Sequence, residues 1–375
     1  MVLAFFFTRQ LDTLLHTDPG YRTENILVAH LAHESKDYSS YQNPEDIQAR
    51  VQRVKQLGAK MKACPDIEYW VADQSALTSS DFGMKFIGNN GRTAFLYMWY
   101  ANPSFFRLYE LRFVEGTLPS MEEEEDWDRE YYVVNRAALK ALGYDSCQGA
   151  TLMYEDDKMR AQNPEAHPIV AVIDDYYDGH ISAGVHPMVF VVRRGSSGDL
   201  YTLSYRPGRL AAVMDYLKKV EREIYGTEEF EYTLFSDQVK QMYAADRRMA
   251  MLYTAFAFIA IVVSCLGLFG ISLFDIRQRY REIAIRKVNG AMLKDLYVLL
   301  LRRYVGMLLL AAVVAVPLAW LAIHYYTADL VVKAPVTVGL FLTAFLIVAV
   351  ISVATLLWQV NKASRINPSE VMKSE

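Results

Sequence analysis

Three stretches of this 375-residue chain carry no charged side chain and are long enough to cross a bilayer. Ala250–Phe274 runs 25 residues, Tyr304–Tyr325 runs 22 and Val336–Trp358 runs 23. A helix needs about 20 apolar residues to span the hydrocarbon layer, so all three qualify. The third contains 14 Leu, Ile, Phe or Val residues. At roughly −0.3 to −0.6 kcal/mol each, these favour insertion by about 4–8 kcal/mol, against about 3 kcal/mol for one misplaced charge. A soluble core offers little room for three helices that are apolar all round.

The average composition hides this feature, since the chain is 22% charged with a mean hydropathy of +0.07. Residues 1–235 hold 24 Lys and Arg against 35 Asp and Glu, a balance of −11. Residues 236–375 hold 15 against 8, a balance of +7. An acidic soluble half joined to a basic, apolar half fits a membrane protein with one large domain outside the bilayer. The acidic half also argues against nucleic-acid binding, which needs a clustered basic surface.

The loops orient the spans. Residues 275–303 hold eight basic side chains, whereas the ten-residue segment 326–335 holds only Lys333. Lys362, Arg365 and Lys373 follow the last span. The excess of Lys and Arg on cytoplasmic loops places 275–303 and the C-terminus inside and the residues before Ala250 outside. Trp320, Tyr325, Tyr326 and Trp358 lie near span ends, where aromatic rings meet the interface. Met1–Phe7 (MVLAFFF) is too short to span and lacks the basic start of a signal peptide. It reads as the last turns of a helix, which makes residues 1–17 the remnant of a first transmembrane helix.

The soluble half mixes helices and strands. Ile47, Val51, Val54, Leu57 and Met61 share one helical face between Pro44 and Met61. Tyr131–Val134, Pro168–Ile173, Pro187–Val192, Leu200–Tyr205 and Phe230–Leu234 read as strands. Arg136–Leu142 and Arg209–Tyr225 read as helices ended by Gly143 and Gly226. The expected fold class is therefore a membrane protein: a transmembrane bundle of three spans plus the remnant of a fourth, with a large α+β extracytoplasmic domain. Its parts are 1–17, an outside domain over 18–237 and a membrane domain over 238–375.

Catalytic chemistry finds no foothold, so an enzyme is not expected. The chain lacks the G-x-x-x-x-G-K-[ST] phosphate loop, G-x-S-x-G and H-E-x-x-H. His30 and His33 fall in a strand-like stretch that turns them to opposite faces, and no histidine pair has metal-ligand helical spacing. Cys64 and Cys147 show no disulfide-framework spacing, and Cys265 lies in an apolar run. Glu122–Glu130 lacks the spacing of a calcium loop and reads as a solvated charge run. His324, at the outer end of the second span, is the one ionisable candidate inside the spans and reads as interfacial, so no proton path is visible.

The most informative motif lies in the 275–303 segment. As a helix, Asp275–Gly290 places Ile276, Tyr280 and Ile283 on one stripe, and Ile285 and Val288 lead to Met292 on another. Asn289-Gly290 supplies a stop. Three readings fit this amphipathic segment: an anchor on anionic lipid, a simple basic loop, or a helix docked in a groove of a cytoplasmic partner.

The run Arg279–Ala291 (RYREIAIRKVNGA) resembles the signature of the FtsX-like, MacB-type ABC transporter permeases. Asp18–Val28 resembles the segment that follows the family's first membrane helix, and Asn102–Gly116, Val134–Gly143 and Ile169–Asp175 resemble blocks of its extracytoplasmic core domain. Ile366–Met372 resembles its C-terminal N-P-x-E-x-[LM] ending. The resemblance implies a non-enzymatic permease subunit of the cell inner (plasma) membrane that works with a separate ABC ATPase, which alone binds ATP. It implies four helices, a dimer or pseudo-dimer of permease halves, and a possible periplasmic partner. By position, Arg281, Glu282, Ile283, Ile285, Arg286, Lys287 and Gly290 would be the residues coupling to that ATPase. The process driven would be export or mechanotransmission. An FtsX-like regulator of cell-wall hydrolases, or a sensor subunit of a peptide-resistance system, is the alternative. The short first helix departs from the family pattern. It implies a fragment, a misassigned start, or the second half of an eight-helix permease similar to those of Bacteroidetes-type bacteria.

Overall fold

The computed structural model describes residues 1–31, 44–77, 82–118, 131–192, 200–278, 293–328 and 330–364. The chain forms two compact units: Asp18–Tyr243, and Met1–Thr17 together with Ala244–Glu375.

The Asp18–Tyr243 unit contains two sheets. The first is built from β1 (Ile26–His30), β2 (Ile67–Ala72), β10 (Leu200–Tyr205) and β11 (Tyr232–Leu234). Its order is β11-β1-β10-β2, and every neighbouring pair is antiparallel. Helix α2 (Pro44–Ala63) joins β1 to β2, and α6 (Leu210–Tyr225) joins β10 to β11. This is a split β-α-β-β-α-β unit. The residues between β2 and β10 form an insertion.

Alternation along β1 explains how this sheet is buried on both sides. Leu27 and Ala29 meet Leu57 and Met61 of α2 and Val213, Leu217 and Val220 of α6. Ile26 and Val28 point the other way, into a core with Phe105, Phe190 and Phe235. Side chains alternate with period two, so one strand can feed two cores. The expected helical face over 44–61 ends with Leu57 and Met61 buried, and the helix stops two residues before Pro65.

The insertion forms the second sheet. Its strands are β3 (Gly83–Gly88), β4 (Thr93–Ala101), β5 (Phe113–Gly116), β6 (Tyr131–Asn135), β7 (Thr151–Tyr154), β8 (His167–Ile173) and β9 (Met188–Val192). β7 pairs with β3 and also with the first residues of β8. Six strands therefore close in the order β7-β8-β6-β9-β4-β3, and β5 pairs along the remaining part of β8. Closure removes exposed strand edges. Phe86, Leu96, Tyr132, Leu152, Val189 and Val191 fill the interior. The alternate residues of β9, Met188, Phe190 and Val192, pack outside the ring. Cys64 lies in the helix-side core of the first sheet and Cys147 in the ring's core, both as free thiols.

Short helices punctuate the insertion: α3 (Pro103–Leu108), α4 (Arg136–Ala141) and α5 (Asp157–Gln162). Each begins on a polar cap. Asn102 accepts from Phe105 N, Asn135 from Ala138 N, and Asp156 from Lys158 N and Met159 N. After β11, α7 (Phe235–Met242) leads to the end of the unit.

The regular elements described in the other unit are all helices. α1 (Val2–His16) continues as a helix through Thr8, Arg9 and Gln10, well beyond the apolar start. α8 (Ala244–Gln278), α9 (Leu293–Tyr326) and α10 (Val338–Ser364) contain the three spans. At about 1.5 Å per residue, the 35 residues of α8 make an unbroken rod of about 52 Å. The hydrocarbon layer is about 30 Å thick, so the rod continues past it. Pro317 lies inside α9 without ending it, as membrane helices tolerate.

A candidate transmission site at the helix ends

The three spans bury only 11%, 6% and 17% of their most apolar windows within the chain. Their exposed Phe, Leu, Ile and Val side chains are therefore matched to lipid, and the chain is a membrane protein. Polar contacts between the helices are few and sit at the two ends.

At the end where α9 and α10 are joined, α1 docks. Phe7 stacks on Tyr253 of α8 at 4.1 Å between ring centroids and meets Tyr326 of α9 edge-on at 4.8 Å. Gln10 is 4% exposed, and its amide satisfies the connecting loop from both sides. Its Nε2 donates to the Val332 carbonyl at 3.1 Å, while Oε1 accepts from Ala334 N at 2.6 Å. Arg9 Nη1 donates to Thr337 Oγ1 at 3.2 Å. His324 stacks on Trp320 one turn earlier in α9.

At the opposite end, α8 and α10 share a buried polar clamp. Ser272 is fully buried and Gln359 is 4% exposed. Gln359 Nε2 donates to the Phe269 carbonyl at 2.9 Å. The Ser272 hydroxyl lies 2.6 Å from the Leu268 carbonyl of its own helix and also reaches Gln359 Oε1. Phe269 and Trp358 flank the clamp with ring centroids 6.0 Å apart. In hydrocarbon no water can replace these bonds, so the pair fixes the register of the two helices.

The clamp stands one to two turns before segment 279–292, which contains the sequence-derived coupling residues. Arg281, Glu282, Ile283, Ile285, Arg286, Lys287 and Gly290 all lie outside the described residues, as do Glu122–Glu130, His33 and Ile366–Met372. What the structure does place is their frame: α8 runs continuously to Gln278, and α9 starts at Leu293. Sequence reasoning missed Ser272 and Gln359. The available signal was a glutamine at the end of an uncharged run, which has to find a partner there.

The Asp18–Tyr243 unit gathers its own polar features. His167 Nε2 contacts Asn163 Oδ1 at 3.0 Å, and His186 Nδ1 contacts buried Asp178 at 2.9 Å. These histidines pair locally with loop side chains. Among the described residues, no three His, Cys, Asp or Glu side chains converge as a metal site would require. Asn135 is fully buried and joins three segments. Its Oδ1 accepts from Ala138 N and Met188 N, each at 2.9 Å, and its Nδ2 donates to the His186 carbonyl at 2.8 Å. Nearby, Asp175 Oδ1 accepts from Ala137 N at 2.9 Å, and Arg136 pairs with Asp174 at 2.8 Å. Glu221 on α6 is fully buried, and burial pushes its carboxyl up to about 8.

Comparison with known proteins bears on the membrane unit. The chain is 25% identical over 177 residues to a "Probable export ATP-binding/permease protein" of Pseudomonas fluorescens. It is 26% identical over 179 residues to the "Probable syringafactin export ATP-binding/permease protein SyfD" of Pseudomonas syringae. Each alignment covers 46% of this chain and 27% of the relative, so the chain spans about a quarter of the length of the relatives it matches. Among solved structures, the periplasmic region of MacB from Actinobacillus actinomycetemcomitans aligns at 15% identity with a TM-score of 0.37, covering 61% of this chain and 96% of that one. The extracellular domain of the noncanonic ABC-type transporter YknZ from Gram-positive bacteria aligns at 10% identity, also with a TM-score of 0.37, covering 56% and 100%. Residues 254–368, which take in most of α8, all of α9 and α10 and the motif between them, match the family model of the FtsX-like permease C-terminal domain, and the chain carries that domain.

Proposed function

We propose that this chain is the permease subunit of an ABC-type complex. In it, segment 275–303 docks on a separate cytoplasmic ATPase, and the spans carry its movement to the Asp18–Tyr243 domain outside the membrane. The observation that carries the reading is the joint position of the FtsX-like match and the motif RYREIAIRKVNGA between two long, unbroken helices. Rods of this length can transmit displacement without a polar path through the bilayer, and the spans contain no Asp, Glu, Lys or Arg to line one. The distribution of Lys and Arg supports a cytoplasmic motif and C-terminus. On this reading the chain performs no chemistry itself, and ATP is bound and hydrolysed by its partner.

The test is charge reversal at the motif, Arg286→Glu with Lys287→Glu, in the chain reconstituted with its ATPase. The expected result is loss of permease-stimulated ATP hydrolysis and weaker recovery of the ATPase in pull-downs, with the chain still in the membrane. Unchanged stimulation together with unchanged recovery overturns the proposal. A role in activating cell-wall hydrolases instead of export would keep this coupling and show a wall or division defect on deletion.

A further inference from the structure

α10 packs against both α8 and α9. Toward the end of the bundle that bears the clamp, a groove of about 390 Å³ opens between α8 and α9. Gly267 and Ile271 form one wall, Tyr304 and Val305 the other, and Ser352 and Leu356 the floor. The α8 wall is a helical stripe, because residues three and four apart share a face. Gly267 leaves space there: a Cβ at that position would meet nothing within 4 Å.

We infer that this groove holds an acyl chain of one anionic phospholipid, with its headgroup at Arg302. The occupant follows from the surroundings and from charge. An apolar crevice facing hydrocarbon forfeits dispersion contacts if it stays empty, and a lipid chain restores them. The groove ends at Tyr304, the first residue of the uncharged run, where chain meets headgroup and tyrosine is favoured. Arg302 is exposed and lies one turn before Val305 on the same face of α9. Asp275 lies one turn beyond Ile271 on α8, so the mouth carries both signs. Among the described side chains of residues 275–303, Arg277 and Arg302 outnumber Asp275. Basic pockets between membrane helices bind anionic headgroups, each Lys or Arg contributing about 1 kcal/mol at the surface. This site does not depend on the coupling reading, and either can fail alone.

The experiment is native mass spectrometry of the purified full chain with equimolar dioleoyl-phosphatidylglycerol and dioleoyl-phosphatidylcholine. The wild-type chain is expected to retain one phosphatidylglycerol in preference to phosphatidylcholine. Arg302→Gln should reduce that preference about fivefold, while chain binding persists. Gly267→Leu fills the groove from the wall and Ser352→Leu from the floor, and each should reduce retention of both lipids roughly tenfold. Equal retention of the two lipids by the wild type overturns the proposal. So does undiminished retention by both groove-filling variants. Disulfide-linked dimers formed by Gly267→Cys in a Cys265→Ser background also overturn it, because they assign the groove to a second copy of the chain.

Discussion

Gln359 on α10 donates its side-chain amide to the main-chain carbonyl of Phe269 on α8, 2.9 Å away, while its oxygen meets the fully buried Ser272 hydroxyl. The contact therefore joins the span that leads into the 279–292 motif to the last span of the chain, close to the motif itself.

Removing one half of this clamp strands the other. Ser272→Ala takes away the partner of Gln359 Oε1 and is expected to destabilise the chain by about 1 kcal/mol, the usual worth of a polar contact between membrane helices. Gln359→Leu leaves Ser272 with the Leu268 carbonyl of its own helix and should cost less. Thermal unfolding of the two variants in detergent checks the ranking. A larger loss from Gln359→Leu than from Ser272→Ala would mean that the serine bonds only within α8.

Asn135 ties β6, α4 and the residue that opens β9 through one buried amide. Asn135→Ala removes a helix cap worth about 1 kcal/mol and leaves Met188 N and the His186 carbonyl buried without it, at about 1–3 kcal/mol more. Asn135→Asp keeps the two accepted bonds and loses only the donated one, so it should fall between wild type and alanine. Denaturant unfolding of the three proteins measures the order.

Gly116 and Gly149 both hold left-handed backbone, at φ +70° and +73°. A Cβ at Gly116 would stand 2.1 Å from the Val170 carbonyl oxygen, whereas one at Gly149 meets nothing within 4 Å. Alanine at Gly149 should cost only the conformational penalty of about 1–2 kcal/mol. Alanine at Gly116 adds a clash with the β8 backbone and should cost well beyond that. Comparing the two melting temperatures isolates the clash.

Glu221 gives the Asp18–Tyr243 unit a pH dependence. Its carboxyl is raised by burial to about 8 in the folded state, above its ordinary value of 4.5. Between these values the folded state holds a proton that the unfolded state releases. Stability from this group is therefore fully present below about pH 4.5 and is lost as pH rises toward 8, at no more than about 1.4 kcal/mol per pH unit. Glu221→Gln should flatten that part of the stability–pH curve. An unchanged slope would show that Glu221 does not titrate there.

The membrane class of this chain was legible residue by residue. Absence of charge over 22 to 25 positions is a one-dimensional property, because a helix in lipid satisfies its own backbone and needs only length and apolarity. Local rules also located most of the strands around Tyr132, Val172, Val191 and Leu203, and the helix whose stripe runs through Val213, Leu217 and Val220. The strands β2, β3, β4, β5 and β7 went unread. In β4 (TAFLYMWYA), Leu96 and Met98 face the ring while Phe95, Tyr97 and Trp99 lie on the opposite face, so aromatic residues there erase the polar half of the alternation. The remaining decisions were tertiary. Nothing in the order of residues states that β10 pairs with β1 rather than with β9, that six strands close on β7, or that Gln359 lies beside Phe269 some 90 positions away. Such pairings are chosen by which apolar faces can be buried together and which polar atoms would otherwise be left without a partner, and that balance exists only once the chain has folded onto itself.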